Sequence, residues 1–151
     1  MDELKFAVIG NPVSHSLSPD IHLFFANQFQ LERYTYNKIK SNENDFERDI
    51  NDFFKNGGVG LNVTVPFKGL AYNLCDELDQ SAGLCKSVNT VLIDSGKLIG
   101  HSTDGQGLID DFLHKEITLE DSKILIIGAG GSAASIISSL LSHGKIKEIS
   151  I

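Results

Sequence analysis

The sequence has little of what stabilises secreted, zinc-binding or membrane proteins. Only two of its 151 residues are cysteines, Cys75 and Cys85. Two cysteines make no disulfide framework, and neither lies in a CxxC pair or a His/Cys cluster, which argues against zinc and for a reducing compartment. Residues 1–5 place two acidic side chains before any apolar run, unlike a signal peptide, and no apolar run reaches membrane-spanning length. We therefore expect a soluble cytoplasmic protein without a metal.

An excess of positive charge is also missing. Thirteen Lys and Arg residues face twenty Asp and Glu residues, for a net charge of −7. A nucleic-acid-binding protein usually has a basic face, so we do not expect nucleic acid as the main partner. The apolar content of 41% is enough for a hydrophobic core. The length suits one domain, or one domain and part of another.

Strand and helix patterns alternate in the first half, which is typical of an α/β fold. An apolar run ends at Gly10, as in a strand buried in a parallel sheet. Ser18 is a natural N-cap and Pro19 a natural first residue for the next helix. That helix is indicated by the spacing of Ile21, Phe24, Phe25 and Phe29. Because Pro66 cannot donate to a neighbouring strand, we expect the third strand to end there. The β-α-β-α-β order predicts a mostly parallel sheet with right-handed crossovers.

The pattern of the second half predicts a hairpin, followed by the first strand of a second domain. The segment Asp94-Ser95-Gly96 separates two apolar strand patterns, as in an antiparallel hairpin with a tight turn. Polar residues over 115–122 then precede a new buried strand over 123–127. The other predicted elements are short helices and turns over 69–83, helices over 107–114 and 132–142, and a strand beginning at 148. We expect a first domain over residues 1–115 and the beginning of a second over 116–151.

The glycine-rich segment at the start of this second part fits a dinucleotide-binding fingerprint. Gly128-x-Gly130-x-x-Ala133 lies between a predicted strand and a predicted helix. The first glycine permits the turn, the second allows the backbone to approach a pyrophosphate, and the helix N-terminus offers free N–H groups. The alternative is a plain glycine turn. The charged residue that separates NAD from NADP binding would come after Ile151, so these residues leave both cofactors open.

Polar side chains collect where predicted strands end. Asn62, Thr64 and Lys68 lie at or just past the third strand, where open α/β sheets bind ligands. Lys68 suits anion binding or proton exchange, and the alternative is a surface lysine after a turn. Asp104 also follows a strand, so a Lys–Asp pair is a candidate acid/base device. An ordinary ion pair or an Asx-turn is the alternative.

The loop between Pro12 and Pro19 is dense in hydroxyl groups. Ser14 and Ser16 bracket His15 there, and two hydroxyls with nearby N–H groups suit the binding of a carboxylate. The alternative is capping and turn chemistry, which Ser18 alone would satisfy. A loop histidine between serines is more often incidental than a catalytic base, although histidine has the pKa for that task.

Taken together, five ordered segments resemble the shikimate dehydrogenase family. The segments are Ser14-His15-Ser16-Leu17-Ser18-Pro19, Asn62-Val63-Thr64-Val65-Pro66-Phe67-Lys68, Val88-Asn89-Thr90, Thr103-Asp104-Gly105 and Gly128-Ala129-Gly130-Gly131. The resemblance implies an enzyme of aromatic amino acid biosynthesis that reversibly reduces 3-dehydroshikimate to shikimate with NADP. It also implies a substrate-binding domain with a mostly parallel sheet, followed by a truncated Rossmann-type β-α-β segment.

The same resemblance implies a role for each matching residue. Lys68 would be the catalytic acid/base, with Asp104 beside it. The substrate carboxylate would be bound by Ser14 and Ser16. The ring hydroxyls would be bound by Asn62, Thr64, Asn89 and Asp104. The cofactor phosphates would be held by Gly128, Ala129, Gly130, Gly131 and Ser132.

Several positions depart from the family. Lys86-Ser87 stands where Gly-Ala is usual, Ser102 replaces a common asparagine, and Gln80 replaces a residue that is often acidic. Family members also run well past residue 151, so we expect this chain alone to be inactive. A stand-alone shikimate-binding or regulatory module and a quinate/shikimate dehydrogenase are the alternatives. Truncation would leave an unpaired apolar edge, which predicts a homodimer through residues 123–151.

Overall fold

The computed structural model describes residues 3–151, in which fourteen helices and strands alternate along the chain. In chain order they are β1 (Leu4–Gly10), α1 (Ser18–Gln28), β2 (Tyr34–Lys40), α2 (Phe46–Lys55), β3 (Gly58–Val63), α3 (Lys68–Leu74), β4 (Glu77–Leu78), α4 (Gln80–Cys85), β5 (Thr90–Asp94), β6 (Lys97–His101), α5 (Asp104–His114), β7 (Lys123–Leu125), α6 (Gly131–His143) and β8 (Glu148–Ser150). No helix among these residues is long and apolar enough to cross a membrane.

The main sheet has six strands in the order β2-β1-β3-β5-β6-β4. Three of its five strand pairings are parallel, β1 with β2, β1 with β3, and β4 with β6. The other two pairings are antiparallel because β5 and β6 form the predicted hairpin. Its turn places Ser95 and Gly96 at φ of 51° and 80°, as a two-residue type I′ turn requires. The predicted α/β class with a mostly parallel sheet is confirmed.

The main core lies on one face of this sheet. Alternate residues of the central strands, including Ile9 and Leu61, point to this face and are almost fully buried. Helix α2 covers them with Phe46, Ile50 and Phe54, which recur every four residues and so share one side of the helix. The core therefore holds the carboxyl ends of β1 and β3 in place, and the polar segments begin there.

Helix α1 differs from its prediction. It begins at Ser18 with Leu17 as the N-cap and no capping side chain, so the prediction that Ser18 is the N-cap is wrong. Ala26 is its buried residue, whereas the large side chains of Phe24 and Phe29 are 66% and 71% exposed. The spacing of the apolar residues predicted the helix but not which of its faces is buried, because apolar residues lie on nearly every face of it.

A second, two-stranded sheet follows, in which β7 and β8 are parallel and α6 connects them. The predicted β-α-β segment is therefore present. The prediction of a buried strand over 123–127 is wrong, because β7 ends at Leu125 and the side chains of Leu125 and Ile127 are 69% and 93% exposed. In residues 3–151 only β8 pairs with β7, and a small core around Leu140 covers one face of the pair.

The end of β3 and the start of α5 also differ from their predicted positions. Strand β3 ends at Val63 rather than next to Pro66, because the carbonyl of Thr64 accepts the N–H of Phe67 and the chain turns there. Helix α5 begins at Asp104, three residues before the predicted start at 107. Both shifts bring polar residues closer to helix N-termini, and they determine the geometry described next.

Candidate active site

Lys68 and Asp104 form an ion pair at the carboxyl edge of the main sheet. Each is the first residue of a helix, Lys68 of α3 and Asp104 of α5. Phe67 anchors the turn before Lys68, because its ring is 1% exposed and lies 4.9 Å from the ring of Phe46. The side chains of the pair are only 13% and 25% exposed, so the two charges are partly shielded from water. A carboxylate in this position orients the ammonium group, which is the arrangement needed for proton exchange.

Ser132, at the start of α6, contacts both members of the pair. Its Oγ accepts a hydrogen bond from Lys68 Nζ at 2.8 Å and donates one to Asp104 Oδ2 at 3.0 Å. Gly131 makes this approach possible, because an added Cβ would lie 2.6 Å from Ser87 Oγ and 3.2 Å from Lys68 Cβ. The glycine-rich segment therefore ends directly at the ion pair.

Asn89 links the ion pair to the β6–α5 loop. Its Nδ2 donates to Asp104 Oδ1 at 2.6 Å and to Thr103 Oγ1 at 2.9 Å. Its Oδ1 accepts the backbone N–H of Thr103 at 3.0 Å. One amide thus holds both the carboxylate and the residue before it, so Asp104 has little freedom to rotate.

Asn62 lies farther along the same edge and is held from both sides. Its Oδ1 accepts from the hydroxyl of Tyr36 at 2.7 Å, and its Nδ2 donates to Thr90 Oγ1 at 3.2 Å. The sequence motifs predict no role for Tyr36 or Thr90. Thr90 follows Asn89 directly, which is a local signal, whereas nothing near Tyr36 in the sequence marks its contact with Asn62, 26 residues away.

The serine-rich loop lies next to this group. Ser16 Oγ donates to Ser18 Oγ at 3.1 Å, and the Ser18 side chain acts to lower the pKa of Tyr36. The carbonyl of Ser14 accepts from Lys38 Nζ at 2.7 Å. Ser16 thus contacts Ser18 at the start of α1, and Ser14 contacts the edge strand β2.

Thr64 lies against Gly10, at the turn between β1 and the serine-rich loop. Its backbone N–H donates to the carbonyl of Ile9 at 2.9 Å. A Cβ on Gly10 would lie 2.3 Å from Thr64 Cγ2, so glycine is required for the two segments to meet. The ends of β1 and β3 are therefore closely packed beneath Thr64.

The residues before α6 fit a phosphate group. Gly128 has a φ of +121°, a conformation that favours glycine, and Gly130 is the N-cap of α6 without a side-chain capping bond. Gly128, Ala129 and Gly130 are exposed, and a Cβ on either glycine would meet nothing within 4 Å. Open backbone at the N-terminus of a thirteen-residue helix suits an anion.

A buried hydroxyl contact joins α5 to α6 beneath the ion pair. Ser135 Oγ accepts from Ser102 Oγ at 2.8 Å and from the backbone N–H of Gly105 at 3.0 Å. Cys85 Sγ donates to Ser102 Oγ at 3.3 Å. Ser102, one of the departures from the family pattern, therefore has a structural role here, and sequence reasoning missed its partner Ser135.

Comparisons with known proteins show the family of this chain. The family model described as "Shikimate dehydrogenase substrate binding domain" matches residues 8–91, more than half of the chain. The chain belongs to the shikimate dehydrogenase family. The matched range contains Lys68 and Asn89 and ends before Asp104 and the glycine-rich segment.

Relatives of this family match nearly all of the chain. The shikimate dehydrogenase (NADP(+)) of Acinetobacter baylyi is 43% identical over 140 residues, which are 93% of this chain and 53% of that protein. The shikimate 5-dehydrogenase of Thermus thermophilus, solved in complex with shikimate, is 31% identical with a TM-score of 0.89, over 97% of this chain and 55% of that one. Its structure in complex with NADP(H) and shikimate aligns over the same shares at 30% identity and a TM-score of 0.88. This chain spans about half the length of the relatives it matches.

Proposed function

We propose that this chain is part of an NADP-dependent shikimate dehydrogenase, which reversibly reduces 3-dehydroshikimate to shikimate in the pathway to chorismate and the aromatic amino acids. The observation that carries the proposal is the partly buried pair of Lys68 and Asp104, bounded by Asn89 on one side and Ser132 on the other. The relatives named above carry this activity or this substrate in their names. Two free cysteines among residues 3–151 support a cytoplasmic location.

The substrate would be an anionic ring with several hydroxyl groups, and the residue types suit it. Ser14 and Ser16 would bind the carboxylate through hydroxyl and N–H groups. The ring hydroxyls would be held by Asn62, Thr64, Asn89 and Asp104. Amides and carboxylates match hydroxyls because each hydroxyl both donates and accepts.

The proton in this reaction would come from Lys68. Its Nζ carries a proton that a substrate oxygen can take up, while Asp104 and Ser132 hold the ammonium group in place. NADPH, when bound, supplies the hydride. Its phosphates would be held by Gly128, Ala129, Gly130, Gly131 and Ser132, where the backbone before α6 is open.

We also propose the division into a substrate-binding domain over residues 1–115 and the beginning of a dinucleotide-binding domain over 116–151. Two separate sheets and two separate cores support the division. Both parts contribute to the candidate site, because Ser132 of the second contacts Lys68 of the first.

A titration of this chain with shikimate, followed by backbone amide NMR, tests the function. We expect saturable shifts confined to the substrate-binding residues, which are Ser14, Ser16, Asn62, Thr64, Asn89 and Asp104. Lys97→Ala is the matched control, because Lys97 forms an exposed ion pair with Glu77 on β4 and its loss should leave binding unchanged. A folded chain that gives no shifts would contradict the proposal, and stronger shifts with quinate would favour the quinate/shikimate dehydrogenase.

The predicted homodimer through residues 123–151 stays a proposal, and exposed apolar side chains support it. Leu125, Ile127 and Leu141 are 69%, 93% and 69% exposed, and a second copy would cover them. We expect light scattering of this chain to show a mass that rises with concentration, and Ile127→Asp to abolish that rise. A constant monomer mass at high concentration would refute the dimer.

A further inference from the structure

Tyr36 lies at the boundary between the serine-rich loop and the amide side chains of the candidate site. It belongs to the edge strand β2, and its ring stacks on His22 with 4.3 Å between ring centroids. Its hydroxyl donates to Asn62 Oδ1 at 2.7 Å. The ring thus reaches across β1 from the edge of the sheet to β3.

The contact between Tyr36 and Asn62 is the first of a continuous series, which we call the amide relay. Asn62 Nδ2 donates to Thr90 Oγ1 at 3.2 Å, and Thr90 Oγ1 donates to Asn89 Oδ1 at 3.2 Å. Asn89 Nδ2 then donates to Asp104 Oδ1 at 2.6 Å. Every hydrogen bond in the amide relay points from Tyr36 towards the carboxylate of Asp104.

The orientation of Asn62 in the relay depends on the donor at its oxygen. An asparagine amide has an acceptor at one end and two donors at the other, and the two ends have nearly the same shape. A hydroxyl that donates to Asn62 Oδ1 therefore turns Nδ2 towards Thr90, which leaves the hydroxyl of Thr90 free to donate to Asn89. Asn89 is oriented separately, because its Oδ1 accepts the backbone N–H of Thr103 and its Nδ2 donates to the carboxylate of Asp104. With phenylalanine at position 36, only the long hydrogen bond from Asn62 Nδ2 to the carbonyl of Asn89, at 3.5 Å, would distinguish the nitrogen of Asn62 from its oxygen.

Tyr36 remains a donor at ordinary pH. Burial raises the pKa of Tyr36 to about 12, although the Ser18 side chain acts in the opposite direction. The phenol therefore keeps its proton. Burial also lowers the pKa of His22, which favours the neutral ring that stacks on Tyr36.

We propose that Tyr36 is a positioning residue of the candidate active site, because its hydroxyl sets the orientation of the Asn62 amide at the start of the amide relay. Its structural role does not require a ligand. Its effect on substrate binding rests on the function proposed above, in which Asn62 holds a ring hydroxyl.

Tyr34 is a matched control on the same strand. It lies two residues before Tyr36, so both side chains lie on the same face of the sheet. Its hydroxyl is buried but has no hydrogen-bond partner among residues 3–151. Tyr36→Phe and Tyr34→Phe therefore remove the same atom from the same strand, but only Tyr36→Phe interrupts the relay.

The first experiment compares the side-chain NH₂ signals of Asn62 and Asn89 in ligand-free chains by ¹⁵N NMR. We expect Tyr36→Phe to shift the Asn62 pair and Tyr34→Phe to leave it in place, while the Asn89 pair, held by Thr103 and Asp104, is the internal reference in both variants. Thr90→Val is a second variant that removes the partner of Asn62 Nδ2, and it should also shift the Asn62 pair. Unchanged Asn62 signals in Tyr36→Phe, or in Thr90→Val if Tyr36→Phe does not fold, would overturn the proposal.

The second experiment measures shikimate binding to the same chains. Loss of one orienting hydrogen bond should weaken binding about fivefold in Tyr36→Phe relative to Tyr34→Phe. Equal dissociation constants for the two variants would overturn the effect on binding. A wild-type chain that does not bind shikimate would contradict the proposed function, whereas the NH₂ signals would still decide whether Tyr36 orients Asn62.

Discussion

Lys68→Ala is expected to lower kcat for reduction of 3-dehydroshikimate by about 10²- to 10⁴-fold, the usual contribution of a positioned acid or base. The measurement requires a protein in which this chain is joined to the further length of its relatives. The Michaelis constant should change much less, because Ser14, Asn62 and their neighbours would still bind the substrate. Steady-state kinetics with NADPH separates the two effects.

Lys97→Ala is again the control for this prediction. Lys97 also pairs with a carboxylate, that of Glu77, but both side chains are more than half exposed and lie away from the candidate site on β6 and β4. Its removal should leave kcat unchanged, since exposed ion pairs contribute little. A kcat for Lys68→Ala within tenfold of the wild-type value would refute the assignment of Lys68 as the acid/base.

Gly105→Ala is expected to destabilise the fold by about 3 kcal/mol, because α5 and α6 touch at this residue. An added Cβ would lie 2.3 Å from the carbonyl oxygen of Ser135 and 2.3 Å from Ser139 Oγ. The backbone of α6 would have to move, which would also draw Ser132 away from the ion pair. Urea denaturation measures the loss, and NMR shifts of Ser132 report the movement.

Gly107→Ala is the matched control in the same helix. A Cβ at Gly107 would meet nothing within 4 Å, so alanine should stabilise α5 by up to about 1 kcal/mol through its higher helix propensity. If Gly105→Ala lowers the free energy of unfolding and Gly107→Ala raises it, the loss at Gly105 comes from its close contact with α6. It does not come from the general effect of replacing glycine in a helix. A neutral or stabilising effect of Gly105→Ala would show that α6 is not held as closely as described.

Strand and helix types followed from local patterns in most of the chain. The β-α-β-α-β order predicted for the first half is present, and α2 buries Phe46, Ile50 and Phe54 on one side. The hairpin turn required positive φ at Ser95 and Gly96, which the short polar segment indicated. These predictions held because the interactions that decide them lie within a few residues of each other.

Boundaries and exposure were less well predicted, since they depend on what packs against an element. The apolar residues of α1 indicated a helix but did not reveal that Phe24 and Phe29 lie outward. Likewise the apolar run 123–127 predicted a buried strand, whereas Ile127 is exposed because β7 has a neighbouring strand on one side only among residues 3–151. Burial of a strand depends on the elements that pack against it, and residues 123–127 do not specify those elements.

The sequence by itself determined the α/β class, the family and the set of polar residues that end the strands. Lys68, Asp104 and the glycine-rich segment were evident from motifs, because each motif is continuous in the chain. Only the tertiary structure decided which of these side chains meet, since Ser132 reaches Lys68 across 64 residues and Tyr36 reaches Asn62 across 26. Hydrogen bonds over such separations depend on strand order and helix packing, which no local pattern specifies.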